Sequence, residues 1–135
     1  MTFEHLPEDW PTRSLSETAL AADVVDLTLS SGDRRRTSVG LLLCDERHRL
    51  LQPMVINEVA DCTDDERRHL FEVVCDAMVG IDASALVVTL ARPAGTRLTP
   101  TDQEWLASAR DVCAARNVRL IGTFLADMEH VRSAA

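Results

Sequence analysis

Residues 85–90 read ALVVTL, five apolar side chains out of six, so a strand built from them is water-averse on both faces. Such a strand needs cover above and below, and in a chain of 135 residues helices are the economical cover. The segment therefore asks for an α/β architecture and for itself a place at the centre of the sheet. A chain of this size holds one compact core rather than two.

The flanking sequence supplies the helices. Thr63-Asp64-Asp65-Glu66 has the form of a capping box, in which a hydroxyl and a carboxylate satisfy the free amides of a first helical turn, and acids there suit the helix dipole. Leu70, Phe71, Val74, Cys75 and Met78 follow at helical spacing and Gly80 closes the run, which predicts a helix over 63–79. Downstream, Thr99-Pro100 is a cap followed by proline at the first helical position, and Trp105, Leu106, Ala109, Val112 and Cys113 form an apolar face that ends at Asn117. Residues 118–125 predict a further strand, followed by a polar segment through Asp127, Glu129 and His130.

Upstream, two apolar runs, Ser38–Cys44 and Leu50–Ile56, flank Asp45-Glu46-Arg47-His48 and read as a hairpin with a loop of four or five residues. Pro53 removes a ladder donor, so the second strand belongs at an edge or at a bulge. Ser14-Leu15-Ser16-Glu17 repeats the capping-box form and starts a helix with the stripe Leu15, Ala19, Ala22, Val25 and Leu29. Residues 24–29 also alternate as a strand would, and Ser30-Ser31-Gly32 ends the segment either way. The order helix, hairpin, helix, strand, helix, strand predicts a mixed sheet of four to six strands with helices on its faces, because a strand–helix–strand unit must cross over to rejoin its sheet. Residues 1–13, with Phe3, Pro7, Trp10 and Pro11, read as an irregular arm on a single α/β domain of residues 14–135.

Charge and composition narrow the function classes. A net charge of -8 opposes a phosphate backbone, so nucleic acid is not an expected partner. The run Arg34-Arg35-Arg36 reads as a solvated loop. No apolar run approaches the roughly 20 residues of a membrane span, and the first ten residues lack the pattern of a secretory signal, so a cytoplasmic chain without membrane contact is expected. Cys44, Cys62, Cys75 and Cys113 are scattered, form no C-x-x-C pair and read as reduced core thiols. His5, His48, His69 and His130 share no metal-ligand spacing and read as surface residues. Asp127-Met128-Glu129-His130 crowds three ligand types together, but adjacent residues point different ways, whereas a zinc site gathers ligands from separated elements. No nucleophile elbow, dinucleotide fingerprint or P-loop occurs.

The stretch 86–124 carries the most specific signal: a strand ending VVTLARPAG, then TPTDQEWL opening a helix, then VRLIGTF. Here the chain resembles the JAB/MPN metal-dependent family, and most closely its RadC-like branch, over residues 37–125. That resemblance implies a three-layer fold like that of cytidine deaminases. In the family a central strand ends in H-x-H-P, a short loop follows, and P-S-x-x-D opens a helix. This chain has Leu90 and Arg92 at the two histidine positions and keeps Pro93 and Gly95. With one residue of difference in loop length, Thr101 takes the serine position and Glu104 that of the third ligand. The general-base glutamate has no counterpart in Ser38–Cys44. A catalytic zinc needs three protein ligands and an open position for water. The resemblance thus implies a non-catalytic domain without metal or cofactor, acting through a protein partner or as a homodimer. Two roles stay open for Arg92: pairing with Glu104 or Asp102 in place of the ion, or binding a small anionic ligand in the remnant cleft, which would make the chain a sensor. The cleft candidates are Arg92, Thr101, Asp102, Glu104 and Trp105. Of these, Thr101 and Glu104 also read as helix-capping residues and Trp105 as a core anchor.

Overall fold

The structure, a computed structural model, describes residues 6–134; Phe3 and His5 lie outside the described residues. In chain order the elements are α1 (Thr18–Thr28), α2 (Ser31–Arg35), β1 (Ser38–Cys44), β2 (Leu50–Ile56), α3 (Asp64–Gly80), β3 (Ala85–Ala91), α4 (Pro100–Ala115), β4 (Arg119–Ala126) and β5 (Val131–Ser133). The five strands form one mixed sheet in the order β2-β1-β3-β4-β5. Only β3 and β4 run parallel, joined by the α4 crossover. The remaining neighbours are antiparallel.

As expected of ALVVTL, β3 is the middle strand and is buried along its whole length. Its side chains alternate between two cores. Leu86, Val88 and Leu90 join Val39, Leu41 and Leu43 of β1 beneath α3 and α4. Ala85, Val87 and Ala91 join Leu42 and Cys44 on the opposite face, under Leu20, Ala21, Val24 and Val25 of α1. The result is three layers, helix on sheet on helix. Phe71 of α3 and Trp105 of α4 meet edge to face, with centroids 6.0 Å apart, and fix how those two helices cross. Gly40 makes room for the Leu29 side chain just past α1: a Cβ there would stand 3.1 Å from it.

The hairpin and the α3 and α4 caps follow the sequence closely. Thr63 and Glu66 form the expected reciprocal box, with Glu66 N to Thr63 Oγ1 at 3.2 Å and Thr63 N to Glu66 Oε1 at 3.0 Å. Asn117 takes the left-handed conformation just past α4, which ends that helix. Pro53 sits in the exposed edge strand β2.

Three expectations need correction. The helix expected from Ser14 begins at Thr18, because Ser14 Oγ bonds to Ser16 and the Glu17 carboxylate is held by Arg13 at 3.0 Å, so neither reaches a free amide of the helix. Its buried stripe is Leu20, Ala21, Val24 and Val25, while Ala19 is exposed and Leu15 and Leu29 are buried just outside the helix. Ser30 does end that segment as expected, since α1 stops at Thr28, and Ser30 also caps α2 through a box with Asp33. The arginine run is no solvated loop, since Arg34 is only 4% exposed. It lies in α2 and donates to Asp26 Oδ1 at 2.9 Å, to Asp26 O at 3.1 Å and to Asp127 O at 3.0 Å. Those bonds tie α1, α2 and the end of β4 together. Finally, the polar segment after β4 turns back at Asp127 and adds β5. Among the described residues no helix is long and apolar enough to cross a membrane.

Candidate functional site

A strand that ends inside a sheet and a helix that starts beside it leave a crevice between them, and the parallel β3–α4–β4 unit opens one at the end of β3. The crevice has a volume of about 210 Å³. Val39, Val59, Leu90 and Trp105 give it an apolar lining, and Thr37 and Thr101 bring hydroxyl-bearing side chains to it. Thr37 has φ of 54° and Glu58 has φ of 59°, both in the left-handed region. That conformation is costly for the β-branched Thr37. It is held by Val59 N, which donates to Thr37 O at 3.1 Å, and by the neighbouring Ser38 hydroxyl, which donates to Asp33 O at 2.7 Å.

Arg92 follows directly on β3 and its backbone N donates to Ala126 O at 2.9 Å, which keeps it aligned with β4. Its guanidinium turns to α4 and pairs with Asp102. The second terminal nitrogen donates to Gly95 O at 3.3 Å, in the loop between strand and helix. Asp102 has a second task, because it is the third residue of α4 and closes the capping box with Thr99. Asp102 Oδ2 accepts from Thr99 N at 2.8 Å, and Asp102 N donates to Thr99 Oγ1 at 3.1 Å. One carboxylate therefore satisfies a free helical amide and neutralises the arginine. The pair is largely enclosed, the side chains being 16% and 8% exposed.

The other expected residues divide. Thr101 is exposed on the rim, and the cap belongs to Thr99 and Asp102 rather than to Thr101 and Glu104. Glu104 points away from Arg92 and pairs with Arg67 of α3 at 3.1 Å. Arg67 also donates to Cys62 O at 2.8 Å and lies 5.8 Å over the Trp105 ring. Trp105, expected in the core, is 5% exposed and forms the floor of the crevice on one side and the α3 contact on the other. Of the candidates, then, Arg92, Asp102, Thr101 and Trp105 meet at one place and Glu104 serves a neighbouring one.

Asp127 carries a role that the sequence reading did not assign. Its Oδ1 accepts from Glu129 N at 2.9 Å and from His130 N at 2.7 Å, and its Oδ2 accepts from Gly95 N at 3.1 Å. The cluster that looked like crowded metal ligands is a tight turn that also anchors the loop under Arg92. Burial alone would raise the Asp127 pKa, but those backbone donors outweigh it and hold the carboxyl below the usual aspartate range. Among the described residues no three His, Cys, Asp or Glu side chains are grouped so as to hold a metal ion. All four cysteines are free thiols, and Cys75 of α3 and Cys113 of α4 are buried in the same core. Compared with known proteins, the chain matches no family model and no curated protein.

Proposed function

We propose that the chain is a non-catalytic interaction or regulatory domain, JAB/MPN-like and RadC-like in its β3–α4 segment, that works in the cytoplasm through a protein partner or as a homodimer. The observation that carries this reading is the Arg92–Asp102 pair. It spans the end of the central strand and the first turn of the following helix, the two elements that supply the ion's ligands in that family. A guanidinium there does by charge what an ion does: it links strand, loop and helix. It offers no lone pair to a metal and no activated water to a substrate. The apolar lining of the crevice also supports binding over chemistry.

Pairing of Arg92 also weighs against the anion-sensor alternative, because an incoming anion would have to displace Asp102 from a largely enclosed charge pair. Thermal denaturation tests the reading directly. The melting temperature of the wild type should move by less than about 1 °C with zinc, a chelator, phosphate or nucleotides, since a ligand that does not bind the folded state does not stabilise it. The protein should cleave no isopeptide substrate at saturating zinc. About one zinc per chain whose removal lowers the melting temperature would overturn the proposal. An anion-dependent rise that disappears in Arg92→Ala would transfer it to the sensor.

A further inference from the structure

We infer that the domain binds an extended, acidic segment of a partner protein by strand addition along the open half of β4. This rests on the reading of the chain as an interaction domain, though not on the family resemblance or on the crevice at Arg92. β5 pairs only with Phe124, Leu125 and Ala126, and Ala134 N adds one bond to Thr123 O at 2.8 Å. The first half of β4 is paired with β3 on its inner side and has no strand on its outer side among the described residues. Its burial follows suit: Arg119 is exposed, residues 120–123 are half-buried, and the paired half is buried. An unpaired strand edge offers backbone donors and acceptors that an added strand satisfies.

A cavity of about 300 Å³ runs beside this edge. Leu15 and Thr18 border it from the α1 layer, Arg110 from α4, and Ile121 and Gly122 from the strand itself. Walls from both helical layers make it a slot facing the sheet edge-on, which fits an extended chain better than a compact ligand. The other sheet edge is less suited, because Pro53 interrupts the donors of β2. The bulge in β4, where Leu86 pairs with Leu120 and Val87 with Gly122, breaks the regular ladder and keeps the slot from accepting any strand indiscriminately.

Charge selects the occupant. Arg110 borders the slot and Arg119 opens β4, and neither has an ion pair among the described residues. By contrast, Arg68 and Arg116, on the faces where α3 meets α4, are matched with Asp111 and Asp76. Two unmatched cations at an open edge, in a chain of net charge -8, favour a segment bearing Asp or Glu.

Selection of phage-displayed random peptides on the full chain tests the idea. The enriched peptides should be acidic with alternating apolar residues. Their synthetic forms should shift the backbone amide resonances of residues 120–123 and lose about tenfold or more in affinity against Arg110→Glu/Arg119→Glu, and likewise against Thr18→Trp, which fills the slot. Thr101→Trp, at the rim of the Arg92 crevice, should leave binding unchanged. Peptides that lose affinity only with Thr101→Trp would overturn the slot while leaving the interaction reading intact. Enrichment of basic or uncharged peptides, or none above the bare matrix, would overturn it as well, as would a concentration-dependent dimer whose amide shifts fall on residues 119–122.

Discussion

The value of a charged side chain depends on what remains when it is removed. Arg92 and Asp102 are both largely enclosed, so Arg92→Ala strands a carboxylate that is still held by Thr99 N. The expected cost is about 2 kcal/mol, below the 3–5 kcal/mol of a fully buried pair, because one partner of Asp102 survives. A double-mutant cycle of Arg92→Ala with Asp102→Asn should give a coupling of about 1–3 kcal/mol, and the same cycle with Glu104→Gln should give a value near zero. Urea denaturation measures both. The sequence offered Glu104 and Asp102 as equal partners for Arg92. What separates them is helical phase: Asp102 is the third residue of α4 and faces back to the strand, while Glu104, two residues on, faces α3 and Arg67. Arg34 was misjudged for a related reason. Its neighbours gave no apolar pattern, and its partners Asp26 and Asp127 are distant in sequence or hidden on a helix whose stripe was read one face out.

Among the elements, those with a full local signature were legible and those that depend on a partner were not. Two capping boxes, at Thr63 and at Ser14, look alike in sequence, yet only the first forms. Thr63→Ala should therefore cost about 1 kcal/mol, whereas Ser14→Ala should stay within about 0.5 kcal/mol. Equal losses in chemical denaturation would contradict the difference. The hairpin was readable because a loop between two apolar runs fixes its own register. β5 was not, since three residues carry no period and the strand exists only because Asp127 turns the chain back. That turn is sensitive to acid. The folded pKa of Asp127 lies below the usual aspartate value of about 4, so the stability it adds is complete above that value and is lost as pH falls through the lower, folded one. Amide exchange at Gly95, bonded to Asp127 Oδ2, should speed up across that interval relative to amides in β3. In Asp127→Asn this pH dependence should vanish, and an unchanged profile would remove Asp127 from the explanation.

At the scale of the whole molecule, β3 belongs to two cores at once. Val87 and Val88 are adjacent in the chain, and both are fully buried, but one faces α1 and the other faces α3 and α4. Each Val→Ala change removes about two methyl groups' worth of burial and should cost about 2 kcal/mol. Because the sheet stands between them, the two losses should add to within about 0.5 kcal/mol, as they do for sites without shared partners. Strong coupling in the double variant would mean that the layers respond as one. This architecture was legible from ALVVTL alone, since a strand apolar on both faces implies layers on both sides. The strand order was less so, because it depends on pairings that no local pattern encodes. The Arg92–Asp102 pair, finally, restricts how such a chain can diverge by descent. Asp102 keeps its work at the start of α4 if the arginine is lost, but Arg92 without Asp102 is an enclosed cation left, among the described residues, with Gly95 O as its side-chain partner. Loss should therefore run in one order, the arginine before the aspartate, and a lineage that has exchanged Asp102 for an uncharged residue should already have given up Arg92.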